Sequence, residues 1–338
     1  MRHGSALKLA ALIAVTLAAP AAAQSPAPST PAGRVQAMEA LYPPWPHTAN
    51  DGAGADAAGR GLGFTVAPVD VLADFHGNLD RADLVLYVSG NYFFAMAGLV
   101  EAFGNAYPQY RGRVYFETLP PGLLLKQMEA GGTVTSGDMT WTAKPDVFMA
   151  ELAASNDLAR SGKLLAPVVA FATNNLTIMV PAGNPAHVTG LADLGRNDLA
   201  LAMPNPQFEG VARQIRASLV RAGGEALAET VYGAKVRSGE TVLTGIHHRQ
   251  TPLYLMQHLV EAGVTWKSEA IFQEEIGNPI GHVEIAPEHN TLAVYSAAMV
   301  PQAPHPAAAR AWLDFIGSDA AFNVLAHYDF KRYEAKPQ

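Results

Sequence analysis

The chain has 338 residues, 49% of them hydrophobic, a formal charge of −7 and no cysteine. That hydrophobic content suits a fully folded protein, and the length exceeds what one core commonly serves, so two lobes are expected. The acidic balance argues against a nucleic-acid partner, and the lack of cysteine rules out disulfides and thiolate-bound metal.

Arg2 and Lys8 precede an uncharged apolar run from Leu9 to Ala19, and Ala21-Ala22-Ala23 precedes Gln24. This pattern predicts a signal peptide over 1–23, cleaved near Ala23, and a periplasmic protein. The run falls well short of the ~20 residues needed to span a bilayer, and no later segment is apolar enough, so no stable membrane insertion is expected. Losing Arg2 and Lys8 takes the formal charge to about −9. Residues 24–82 read as a Pro/Ala/Gly-rich linker and an aromatic N-terminal arm. The linker's first part is expected to be a flexible exit from the membrane. Within the arm, Leu41 to His47, with Tyr42 and Trp45, is too aromatic for a plain linker. Packing on the globular body is favoured over docking on a partner. Phe64 to His76 continues the arm.

From Leu84 the pattern becomes α/β. Leu84 to Val88 is a strand, Ser89-Gly90-Asn91 a turn, and an apolar helix runs into Phe103. Val114 to Phe116 and Leu123 to Ala130 repeat the unit, and Asp146 to Ala150 is a further buried stretch. Polar loops at the carboxyl ends of such strands make a ligand crevice. Leu152 to Ser161 is predicted helical, with Gly162 in the stop position. Leu176 to Val180 is a strand ended by Pro181, and Leu199 to Met203 is the next. Pro204-Asn205-Pro206 leads to a helix from about Gly210 to Ala222. His247, His248 and Arg249 precede a helix for which Thr251 is the expected N-cap and Pro252 the first residue. Val294 to Ser296 is a late strand and Pro306 to Ile316 an amphipathic helix.

Helix N-termini hold anions through free N–H groups and the helix dipole. Ser89 to Asn91, Gln207 to Gly210 and Arg249 to Thr251 all suit that role, and Arg249 could add a bidentate pair. Each has a plainer reading: Ser89 as a cap, Arg249 in an ordinary ion pair, Asn205 and Glu209 in turn or cap duty. His247 and His248 invite a metal reading, although a site needs three or four converging ligands, so no metal is expected. Asp146 reads as a hinge-side hydrogen-bond acceptor. No nucleophile elbow, phosphate loop, zinc helix or cysteine nucleophile is present, so neither catalysis nor a cofactor is expected.

Several stretches in order resemble the molybdate-binding type of periplasmic substrate-binding protein, the soluble receptor of an ABC importer. They are the strand with Ser89-Gly90-Asn91; Ala102-Phe103 through Tyr107-Pro108; Leu124 to Gly131 with Asp146-Val147-Phe148; and Asn174 to Pro185 around Val180 to Pro185. Leu191 to Leu194, Glu261 to Trp266, and Ala309 to Phe330 complete the series. The resemblance implies a type II periplasmic binding fold: two α/β lobes, each a mixed sheet flanked by helices, with a ligand cleft between them. Lobe 1 would take 83–171 plus 292–338 and lobe 2 would take 172–291. Family ligand groups then fall at Ser89, at Phe208, Glu209 and Gly210, at His248 and Arg249, and at Trp266, where the family often has tyrosine. At the second serine loop this chain instead has Thr118-Leu119-Pro120-Pro121-Gly122, whose prolines donate no N–H. The full expected contact set is Ser89, Gly90, Asn91, Thr118, Asn205, Phe208, Glu209, Gly210, His248, Arg249, Thr251 and Trp266. The implied function is a monomeric receptor that captures a small anion, molybdate- or tungstate-like by preference, and delivers it to an ABC permease. The alternatives are a periplasmic sensory or accessory protein docking on a membrane partner and a metal carrier using His247 and His248.

Overall fold

A computed structural model describes residues 29–39, 74–119, 121–136, 139–207, 209–245 and 247–335. The expected signal peptide, the Tyr42 to His47 arm, Pro120 and Phe208 lie outside these residues. The strands are β1 (Asp74–His76), β2 (Leu84–Ser89), β3 (Val114–Leu119), β4 (Thr133–Ser136), β5 (Met139–Thr142), β6 (Val147–Glu151) and β7 (Val169–Pro181). They continue as β8 (Leu201–Met203), β9 (Thr241–Leu243), β10 (Ala262–Trp266), β11 (Ile280–Glu284), β12 (Leu292–Met299) and β13 (Lys331–Arg332). All but the β4-β5 hairpin join one mixed sheet in the order β1-β3-β2-β6-β12-β7-β10-β8-β9, with β11 and β13 also paired to β7.

The two halves of this sheet meet in β7. Its 13 residues are mostly buried, yet its partners change midway. Val169 to Asn175 pair with β12, and Leu176 to Met179 pair with β10. Period-two alternation then sends Leu176, Ile178 and Val180 into one core and Met179 into another. In the first half, β2 runs parallel to both β3 and β6. All six of its residues are buried, as expected of a parallel strand covered on both faces. Leu84, Leu86 and Val88 pack with Phe103 and Trp312, while Val85 and Tyr87 pack with Tyr115 and Phe148 on the opposite face.

The helices follow the sequence pattern closely, with instructive departures. The helix Pro306–Ile316 has the expected bounds. The helix Gly210–Glu229 runs past the expected end, but Gly223 and Gly224 interrupt it, and Gly224 sits at φ +71°, where glycine meets no Cβ penalty. Residues 31–39, expected in a flexible exit, form a helix instead. It docks because Val35 enters the second-half core, and Ala32 donates its N–H to Gly239 O at 3.1 Å. Asp74 to His76, expected to continue the arm, pair antiparallel with β3 at the sheet edge. Asp146 is a hydrogen-bond acceptor, but at the amino end of β6, away from the strand end that reaches the cleft. Its carboxylate accepts from Val85 N at 2.8 Å and from His305 N at 2.6 Å. Among the described residues, no helix is long and apolar enough to cross a membrane.

Trp312 is fully buried against Phe103, with ring centroids 5.1 Å apart. Trp312→Ala should lower stability by about 3–5 kcal/mol, measured as a drop in the urea midpoint with an unchanged slope. A loss below 1 kcal/mol would show that this core is not tightly packed.

Candidate functional site

The carboxyl ends of β2, β6 and β10 and the amino end of the helix Gly210–Glu229 border a cleft of about 610 Å³, measured to its open mouth. Ser89, Gly90, Asn91, Glu209, Gly210, His248 and Trp266 line it, as anticipated, together with His247. Four anticipated residues lie elsewhere, Arg249 among them. Thr118 is wholly buried within β3. Asn205 forms a turn, its side-chain oxygen accepting from Gln207 N at 3.0 Å. Thr251 is wholly buried, with its methyl group against Gly263.

Thr251 is not the N-cap, because capping begins upstream. His247 Nδ1 accepts from Arg249 N at 3.2 Å, and Gln250 Oε1 accepts from His247 N at 3.2 Å. This reciprocal capping box starts a 3-10 turn over His248–Gln250 that continues into the helix Thr251–Met256. Thr251 consequently takes helical angles, φ −54° and ψ −52°.

His248 stands between two buried glutamates. Its Nδ1–H donates to Glu209 Oε2 and its Nε2–H to Glu269 Oε1, each at 2.9 Å. Burial disfavours the imidazolium, but the Glu269 charge and the hydrogen bonds to both carboxylates outweigh it and push the His248 pKa up to about 9. Glu209 is saturated. Oε1 accepts from Asn205 N at 3.0 Å and from the Thr244 hydroxyl, and Oε2 accepts from His248 N at 2.6 Å as well as from the ring. A carboxylate has about four acceptor positions, so Glu209 orients His248 and has nothing left for a ligand. Glu269 also accepts from the Thr265 hydroxyl.

Burial, with the charges of His248 and Arg249, holds His247 well below the ordinary histidine range, so its ring is neutral. Its Nδ1 lone pair is already engaged, which leaves Nε2–H as a donor. Glu209, His247 and His248 offer atoms within 4.8 Å of one another, enough to suggest a metal. Chemically the set does not fit: both His248 nitrogens carry protons held by carboxylates, and the two lone pairs a metal would need are absent.

Arg249 is 2% exposed and packs on a cleft residue instead of lining the cleft. A Cβ at position 90 would stand 3.0 Å from Arg249 Nη2, so glycine is what lets the guanidinium approach. Its Cζ lies 4.5 Å from the Phe93 ring centroid, a cation–π contact. On the opposite wall, Ser89 Oγ donates to Asn91 Oδ1 at 2.9 Å, and Asn91 Nδ2 donates to Tyr295 Oη at 2.8 Å. Burial, then the Glu269 charge, raises the Tyr295 phenol well above its ordinary range and keeps it neutral. Trp266 lies across from Tyr295, with ring centroids 6.1 Å apart.

Sequence reasoning missed Glu151, Gln214, Ala293 and Tyr295 in the lining, and Glu269 behind it. Glu151 ends β6, so the rule that ligands gather at carboxyl ends of strands could have found it. Tyr295 lies inside a strand, and nothing local marks it.

The folded-state pKa of His248 exceeds the ordinary 6.5. Its contribution to stability is therefore complete below pH 6.5 and lost as pH rises through about 9. Urea midpoints should fall between pH 7 and 10, and His248→Gln should flatten that fall. Equal slopes in the two proteins would remove the buried ion array as its cause.

The model of the family described as bacterial extracellular solute-binding protein matches residues 84–331. The molybdate-binding protein ModA of Mycobacterium tuberculosis (strain ATCC 25618 / H37Rv) is 24% identical over 245 residues, covering 71% of this chain and 83% of that protein. Among solved structures, the sulfate-binding protein SubI from Mycobacterium tuberculosis H37Rv aligns with TM-score 0.61 at 19% identity, over 74% of this chain and 86% of that one. The Azotobacter vinelandii periplasmic molybdate-binding protein aligns with TM-score 0.56 at 17% identity, over 75% and 100%. At these identities the structural likeness establishes the fold, the two-lobe α/β architecture of periplasmic binding proteins. The family is one of binding proteins, not enzymes, and its model matches most of the sequence: the chain belongs to the bacterial extracellular solute-binding proteins.

Proposed function

We propose that this protein is an exported, periplasmic receptor that closes two lobes around a small oxyanion and delivers it to the permease of an ABC importer. The lobes divide as 83–171 with 292–338, and 172–291, a division supported by the change of partners in β7 after Asn175. The observation that carries the anion reading is the neutrality of the cleft's second-lobe wall. The charges of His248 and Arg249 balance those of Glu209 and Glu269, so an incoming anion meets oriented dipoles instead of net negative charge. The dipoles are the amino end of the helix starting at Gly210, His247 Nε2–H and the backbone of Ser89 to Asn91. Relatives named for molybdate and sulfate agree with that chemistry.

Arg249 serves closure. It belongs to the second lobe, and it rests on Gly90 and Phe93 of the first. Closure excludes water, which strengthens the hydrogen bonds to the bound anion. Arg249→Ala should weaken anion binding at least tenfold, about 1.4 kcal/mol, and should abolish the ligand-dependent decrease in radius of gyration seen by solution scattering. A thermal-shift panel of molybdate, tungstate, sulfate, phosphate, small carboxylates and divalent metals supplies the ligand. A shift of about 2.7 kcal/mol is expected at a hundred times the dissociation constant. Stabilisation by metals alone would reject the anion reading.

A further inference from the structure

We infer that the ligand of this cleft brings a hydrogen-bond donor of its own, and that Glu151 is the residue selecting for it. The inference rests on the receptor reading above and narrows its substrate class to oxyanions that retain a proton, as phosphate does, over fully deprotonated sulfate or molybdate.

Glu151 lines the cleft at the carboxyl end of β6. Its carboxylate differs from the other two near the site. Glu209 and Glu269 are held by hydroxyls, backbone and His248, whereas the Glu151 carboxylate caps no helix N–H and, among the described residues, accepts no hydrogen bond and forms no salt bridge, only the charge of Arg213 acting on it without direct contact. An unpaired carboxylate can only accept. Against a fully deprotonated oxyanion it places like charges together, which is unfavourable wherever water is excluded. Against an oxyanion with one remaining proton, the same carboxylate accepts a charge-assisted hydrogen bond.

Ser89 supports this independently. Its hydroxyl hydrogen is committed to Asn91 Oδ1, so toward a ligand Ser89 Oγ, beside the buried Tyr92 hydroxyl, can only accept. Two acceptors, one from β2 and one from β6, thus sit on the first-lobe side, while the N–H donors come from the Ser89 to Asn91 backbone and from the second lobe. Ser89 is buried and Glu151 is exposed in the open cleft, so closure over a ligand that only accepts would cover both acceptors unmatched, and covered unmatched polar groups discriminate strongly between otherwise similar ligands.

The test is titration calorimetry at pH 8, where phosphate keeps one proton and sulfate and molybdate keep none. Wild-type protein should bind inorganic phosphate at least tenfold more tightly than either. Glu151→Gln, which replaces one acceptor oxygen by an N–H donor, should cut that ratio at least tenfold. Circular dichroism checks that the variant is folded, and Glu151→Ala reads the same ratio should Gln fail. Wild-type preference for sulfate or molybdate, or an unchanged ratio in the folded variant, would overturn the selection by Glu151 and leave the oxyanion receptor standing. Binding of none of the three would overturn the receptor reading and this inference with it.

Discussion

Three charges share one dry pocket around His248, and they are tolerable there only together. With Glu209 and Glu269 each 2.9 Å from a ring nitrogen, every proton on the imidazolium has an acceptor. The remaining carboxylate oxygens are filled by Asn205 N, Thr244 and Thr265. Removing one partner from such a set leaves a buried charge uncompensated, which commonly costs about 3–5 kcal/mol. The array joins three segments separated in sequence: the turn at Asn205, the loop from Thr244 to the His247 cap, and the stretch from Thr265 into the helix Lys267–Glu275. Much of the second-lobe wall is therefore positioned by one electrostatic constraint.

That constraint also separates duties within the cleft. A carboxylate beside the proposed anion site is a contradiction until its lone pairs are counted. Glu209 is occupied on both oxygens and acts through His248, whereas the Glu151 carboxylate accepts no hydrogen bond among the described residues and, in our proposal, acts on whatever enters. Neutral His247 contributes a donor without adding charge, because burial and two neighbouring cations keep it unprotonated. Recognition then depends on matching donors with acceptors, and net attraction plays the smaller part.

Mechanically, β7 is the element on which the lobes depend. A strand that pairs with β12 over its first part and with β10 and β11 over its second ties both sheets to one backbone. Arg249, resting on Gly90 and Phe93, provides a contact between the two proposed lobes. Glycine at position 90 thus serves that approach.

Periodicity made the elements legible: the buried strand from Leu84, the helix Pro306–Ile316 and the loops at strand ends follow from local pattern. Those loops led to Ser89, Gly210 and His248, since a strand's carboxyl end and a helix's amino end are local features with known chemistry. Local rules failed at Thr251, where Ser/Thr-Pro spacing suggested a cap but His247 competes for the same backbone N–H groups from upstream. They were silent about Glu269, Tyr295 and the helix over 31–39, each of which gains its role from residues far away in the chain. What the sequence by itself determined is the class of architecture and the loops that border the cleft, because hydrophobic spacing and turn chemistry act over a few residues. Only the tertiary structure decided which carboxylate is paired and which is open, because protonation and hydrogen-bond saturation depend on neighbours that the fold alone brings together.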